Sequence, residues 1–178
     1  ICQKEIGELC DRRFEKGIPA KAITAFARLL CSYQIPMIFR DHEEYVDKCL
    51  QTGFYLTALI ERSSERKVKL YTCEIDDLPF IGYKVVNKCI EIEGSLGSSA
   101  GEKMQKSELI IDGHAKDYVG RGMKECEIVV RGAVGNYAGL GMESSFLEVI
   151  QAGRYLGKRM KSGIIRASIA GGDIGARM

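Results

Sequence analysis

Methionine recurs at Met104, Met123, Met142, Met160 and Met178, at steps of 19, 19, 18 and 18 residues, within a glycine-rich unit that keeps its pattern. A repeat of this length is a solenoid signature, because a unit of about 20 residues cannot bury its apolar face alone and must stack on its neighbours. Each unit opens on alternating apolar residues: Ile90 and Ile92, Leu109 and Ile111, Ile128 and Val130, Leu147 and Val149, Ile165 and Ala167. Successive side chains of a strand point to opposite faces, so these residues face inward while Glu91, Asp112, Arg131, Glu148 and Arg166 face water. Gly94, Gly113 and Gly132 follow the strands, where a corner needs a dihedral that a side chain disfavours. A second corner is expected at Gly101, Gly120, Gly139, Gly157 and Gly175, and the methionines then fill the interior. One residue is missing in the last two units, which sets Gln151 and Ile169 in the place of the first glycine and predicts a tighter coil after Gly141. Parallel stacking of these units predicts a rod of roughly 20 to 25 Å.

The unit from Gly113 to Gly132, with Tyr118, Val119, Gly120 and Met123 at fixed places, resembles the GXGXG repeat of the C-terminal domain of the glutamate synthase large subunit. It is similar, too, to a repeat found in formylmethanofuran dehydrogenase. The resemblance covers residues 90–178, and Ser107, Glu125 and Ser144 stand where the family often has glycine. It implies a right-handed parallel β-helix that is a non-catalytic structural piece beside catalytic domains.

Glycine divides the chain, since 4 of 20 precede residue 90 and all 3 prolines do. The expected organisation is an α/β region over 1–85 and an all-β array over 86–178. Ile6, Leu9, Cys10 and Phe14 fall on one helix face, closed by Gly17 and Pro19. A second helix is predicted from Pro19 to Tyr33, with Ala22, Ile23, Phe26, Ala27, Leu30 and Tyr33 inward. Asp41 and Glu44 form a capping box before a third, interrupted at Gly53, after which Phe54 to Ile60 reads as either helix or strand. Glu61 to Lys69 reads as a solvated turn, although Arg62, Arg66, Lys67 and Lys69 are able to touch an anion. Strands are predicted over Val68 to Ile75 and Ile81 to Ile92.

The charge is balanced, with 26 Lys and Arg against 24 Asp and Glu, so neither nucleic acid nor an anionic membrane is an expected partner. No apolar run approaches the length of a membrane span, and a cytoplasmic location is the expectation. The 7 cysteines lack a CxxC pair or a neighbouring histidine, which points to buried thiols and to no metal site. The chain opens on Ile1 and the array stops mid-unit at Met178, which reads as a fragment with a strand edge left for a partner.

Chemistry is harder to find. The stretch from Gly94 to Gly101 lacks the ending of a phosphate loop, and the one from Gly171 to Gly175 lacks dinucleotide spacing. A calcium β-roll needs Asp at every turn, whereas only Asp117 and Asp173 lie near corners. No cofactor is implied, and no catalytic residue is assigned. A left-handed β-helix acyltransferase would use a histidine base, for which His114 is the one candidate in the array; His42 reads as a solvated first-turn residue. Arg154, Lys158, Arg159, Lys161 and Arg166 form the candidate interaction surface, because equivalent positions of a coil stack into a ladder. Aromatic residues look too sparse there for a nucleic-acid platform. The leading expectation is a non-catalytic scaffold or interaction subunit of a redox or nitrogen-metabolism complex, with a protein partner or a second copy. The alternative is a small-molecule binder or enzyme with its site between the two halves.

Overall fold

The computed structural model describes residues 17–33, 42–72 and 77–176. The expected first helix around Ile6 and Phe14, the capping Asp41, and Ile75, Cys73 and Met178 lie outside them. Two helices, α1 (Ala20–Tyr33) and α2 (His42–Glu61), precede six strands, β1 (Lys67–Tyr71), β2 (Cys89–Glu93), β3 (Glu108–Asp112), β4 (Glu127–Val134), β5 (Ser145–Ala152) and β6 (Gly163–Ala170). The strands form a single parallel sheet in chain order, each pairing with the next, which is the topology of a β-solenoid. The sheet therefore begins at Lys67, one strand ahead of the glycine-rich array.

Register follows the repeat. Ile90, Leu109, Ile128, Leu147 and Ile165 pair in succession, and so do Ile92, Ile111, Val130, Val149 and Ala167. Val85, Met104, Met123 and Met142 form an interior column with no exposed surface, so their burial contributes about 1.5–3 kcal/mol each. Ile165 is half-buried and Ala167 exposed, contrary to the inward expectation, because among the described residues no coil covers β6. The missing residue lies between Val149 and Gln151: Val130 pairs with Val149, but Ala133 pairs with Gln151, so Arg131 and Gly132 together stand opposite Ile150. Gln151 and Ile169 thus stand level with Ala133 rather than with the glycine.

The two glycine corners differ in physics. Gly101, Gly120, Gly139, Gly157 and Gly175 have φ between 62 and 68°, the left-handed conformation that a Cβ disfavours. Gly113 and Gly132 instead have no positive φ, and what excludes a side chain is the coil beneath. A Cβ on Gly113 would lie 2.3 Å from the carbonyl oxygen of Gly94, and one on Gly132 would lie 2.4 Å from that of Gly113. Only Gly94 of that column combines the corner with a positive φ, at 123°. Glu125 and Ser144 do adopt left-handed φ, at 50 and 49°, but their counterpart one coil earlier is Lys106 at 48°. Ser107 belongs to a different, buried column.

The helices cap the first coil. Pro19 starts α1 with its fixed φ, and its carbonyl accepts from the amides of Ala22 and Ile23. Ala20, Ile23 and Ala27 are buried and Phe26 packs against Tyr55, whereas Ala22 faces out, one step off the expected stripe. The Thr24 hydroxyl donates to the Lys69 carbonyl, so α1 satisfies part of the free edge of β1. Helix α2 runs unbroken through Gly53 to Glu61, which resolves the ambiguity over Phe54 to Ile60 in favour of helix. Glycine is required there because the Pro79 carbonyl oxygen occupies the place of a Cβ. The Thr57 hydroxyl then joins α2 to the first corner, donating to Phe80 O at 2.9 Å and accepting from Gly82 N at 3.1 Å.

Two sequence expectations fail at this junction. Glu61 to Lys69 is not one turn, since Glu61 ends α2 and Lys67 opens β1. Ile81 to Ile92 is not one strand, because left-handed residues at Phe80, Gly82, Lys84 and Asn87 turn the chain before β2 begins at Cys89. Ile81, Tyr83 and Val85 alternate in sequence with Gly82 and Lys84, and that pattern imitates a strand.

Candidate interaction surface

The side chains best suited to chemistry join one coil to the next. His114 is exposed, but its Nδ1 accepts the Ala133 amide at 2.9 Å, while its own amide donates to Ser95 Oγ at 3.1 Å. Asp117 Oδ1 accepts the Asn136 amide at 2.6 Å, and Asn136 Oδ1 accepts the Arg154 amide at 2.8 Å. Ser107, Cys126 and Ser145 form a buried column in which each side chain donates to a carbonyl two residues earlier. Ser107 Oγ also accepts the Lys88 amide, and Ser145 Oγ accepts the Cys126 amide. His42 begins α2, and nothing further places it.

The Cys89 and Cys126 thiols are not poised as nucleophiles. Burial pushes the Cys89 thiol up to about 11, reinforced by its hydrogen bond to Glu108. Burial also raises Cys126. Cys49 is buried as well. Among the described residues no group of three His, Cys, Asp or Glu side chains is placed to hold a metal ion.

The five basic residues do not form one stripe. Arg166 lies on the outward face of β6, 3.8 Å from Glu148 and over the Phe146 ring. Lys161 shares Glu143 with Lys124, both at 3.2 Å, and these hydrogen bonds hold the Glu143 carboxyl below the usual range. Lys158 sits at another corner, 4.4 Å from the ring centroid of Tyr155 and 5.3 Å from that of Tyr137. Arg154, next to Tyr155, and Arg159, left-handed at φ 56°, are exposed on the same turn as Lys158. The fold therefore groups Arg154, Lys158 and Arg159 on one turn and sends Lys161 and Arg166 to ion pairs elsewhere.

A tyrosine ladder completes this corner. Tyr118, Tyr137 and Tyr155 stack in nearly parallel planes, with centroids 5.1 and 4.8 Å apart, and Arg121 lies over the Tyr118 ring. Steps of 19 and 18 residues make these rings look sparse along the chain, and only the coil brings them together. All three have φ of 61 to 65°, which costs about 1–2 kcal/mol per residue. Stacking at about 0.5–1.5 kcal/mol per pair and a cation over each end offset much of that cost. Because the rings cover one another, they turn edges rather than open faces outward. The signal was in the sequence, as an aromatic residue two places before each second-corner glycine in three successive units.

No described helix is long and apolar enough to cross a membrane. No protein-family model, curated protein or solved structure matches the chain.

Proposed function

We propose that the protein is a non-catalytic β-solenoid scaffold, an interaction subunit of a larger cytoplasmic redox or nitrogen-metabolism complex, in keeping with its resemblance to the C-terminal domain of the glutamate synthase large subunit. The observation that carries this reading is the use of the polar side chains: His114, Asp117, Asn136, Cys126 and Ser145 hold main-chain groups of their own or adjoining coils. Groups fixed in this way keep the coil pitch and register rigid, which suits a spacer that presents partner surfaces at set intervals. The corner bearing Lys158, Arg154 and the tyrosines is the surface offered to an acidic partner, since aromatic and arginine side chains are the usual interface anchors.

Affinity purification of the tagged protein from its native host tests this. Stoichiometric co-purification with flavin or iron–sulfur subunits is the expected result. Recovery of the chain alone, as a monomer that turns over a small molecule, would count against it. A second reading, a small-molecule site between the helical part and the solenoid, draws on the groove between α1 and β1.

A further inference from the structure

In five successive coils the residue before the valine or methionine of the interior column is left-handed: Lys84, Lys103, Gly122, Gly141 and Arg159, with φ of 56 to 66°. The amide of each donates to a carbonyl of the next coil, Lys84 to Glu102, Lys103 to Arg121, Gly122 to Leu140, Gly141 to Lys158 and Arg159 to Ala176, at 2.8 to 3.1 Å. These positions therefore stand in one column along the solenoid. The residues before them, Arg121 and Lys158 included, stand in a second beside it.

The two columns hold Lys84, Lys103, Arg121, Lys158 and Arg159, and none of the five forms an ion pair among the described residues. On the sheet face, by contrast, cations are matched across strands: Lys67 with Glu91, Lys69 with Glu93, Arg131 with Asp112 and Arg166 with Glu148. At the corner the contacts are aromatic instead. Lys84 Nζ lies 5.0 Å and Lys103 Nζ 6.0 Å from the Tyr83 ring centroid, while Arg121 lies over Tyr118 and Lys158 over Tyr155. A ring positions a cation without neutralising it. Glu102 is the one carboxylate in these columns, and it is buried. Asp117 and Asp173 belong to the preceding part of the turn, where Asp117 Oδ1 is engaged by the Asn136 amide.

Gly122 and Gly141 interrupt the first column of side chains. Lys84, Lys103 and Arg159 adopt nearly the same φ, so conformation alone does not demand glycine there. A Cβ on Gly122 would meet nothing nearer than Lys103 Cγ at 3.7 Å, and one on Gly141 nothing nearer than Arg159 O at 4.0 Å. The two glycines leave a trough two coils wide, floored by backbone and flanked by Lys103 and Arg159. Its glycine amides are spent on the coil, so a ligand is held by the flanking charges. At about 4.8 Å per coil, Lys84 to Arg159 spans about 19 Å, which an extended peptide at about 3.3 Å per residue covers with roughly six residues. The tyrosine ladder behind the second column turns ring edges outward, since Tyr118, Tyr137 and Tyr155 cover one another. Ring edges are partly positive and suit carboxylate oxygens, whereas stacking nucleic-acid bases needs open ring faces.

We propose that this strip seats an extended acidic segment of a partner protein along the solenoid axis, its backbone over Gly122 and Gly141 and its carboxylates at Lys103, Arg121, Lys158 and Arg159; this rests on the reading of the corner as the surface for an acidic partner.

Fluorescence anisotropy of a labelled hexaglutamate peptide, titrated at low ionic strength with the whole chain, supplies the test. Saturable binding with Kd below about 1 mM is expected. Lys103→Gln and Arg159→Gln should each weaken it about two- to fivefold, as single exposed charges do, and the double variant about tenfold. Gly122→Asn places a neutral side chain that tolerates the left-handed conformation in the trough, and should also weaken binding several-fold. Arg131→Gln, on the sheet face, should leave it unchanged. Circular dichroism melts confirm that each variant folds. Unsaturable binding, equal loss in Arg131→Gln, or tighter binding of a labelled thymidine hexanucleotide overturns the proposal. Co-purification of partner subunits without hexaglutamate binding removes the strip and leaves the scaffold; hexaglutamate binding with these variant effects supports the strip even where no subunit co-purifies, a result that counts against the scaffold alone.

Discussion

The two kinds of glycine should respond differently to alanine. Gly122 has φ of 63° with open space around it, the nearest atom to a new Cβ being Lys103 Cγ at 3.7 Å. Its substitution therefore tests backbone strain alone. Left-handed strain costs about 1–2 kcal/mol, and the stiffer unfolded chain returns about 0.4–1 kcal/mol, so Gly122→Ala should cost about 1 kcal/mol. Gly113 has no positive φ, but its Cβ would sit 2.3 Å from Gly94 O and 2.6 Å from Gly94 C. Both are backbone atoms that cannot swing aside, and moving them stretches the neighbouring bond from the Leu96 amide to His114 O, now 2.8 Å. Overpacking costs about 1–3 kcal/mol and more where the backbone must move, which places Gly113→Ala near or above the upper end, about 3 kcal/mol. At about 2–4 °C per kcal/mol for a chain of this size, the melting points should fall by about 2–4 °C and by about 6–12 °C respectively. Urea titration, read at unchanged m, checks the free energies. Equal losses, or a larger loss at Gly122, would refute the distinction between strain and coil contact.

Met123→Ala empties a fully buried place in the methionine column and should cost about 2–5 kcal/mol by chemical denaturation. Glu143→Gln removes a carboxyl whose pKa Lys124 and Lys161 lower, so its contribution is present above the unfolded carboxylate range and is lost as pH falls through the lower folded value; the gap in melting point between wild type and variant should close as pH drops from about 7 to about 3. Cys89, with its thiol pushed up to about 11, should be alkylated by iodoacetamide at pH near 8 far more slowly in the native than in the unfolded protein, as peptide mass spectrometry will show.

Much of the solenoid was legible because its period is long and its in-and-out alternation regular. The pairing of Ile90, Leu109, Ile128, Leu147 and Ile165 follows directly from aligning the methionines. The first coil was less legible, since it carries Val85 in place of methionine and a corner whose alternation imitates a strand. Gly53 looked like a helix breaker because the reason for it, the Pro79 carbonyl, lies 26 residues away along the chain. The basic residues were visible, but their distribution was not: linear spacing does not say that Lys161 meets Glu143, or that Lys158 meets Tyr155. The α1–β1 groove was wholly hidden, because Arg28 meets Tyr71 only when the helix caps the first strand.

The stacked register underlies every surface described above, and a designed disulfide tests it most directly. Val129 and Glu148 are paired on the outward face of β4 and β5, where parallel strands stand about 4.8 Å apart, within the reach of a disulfide. Val129→Cys with Glu148→Cys should crosslink under mild oxidation, with the linkage identified by peptide mapping. Val129→Cys with Phe146→Cys, two residues out of register, should not. Efficient crosslinking of the second pair, or none of the first in a folded protein, would contradict the coil.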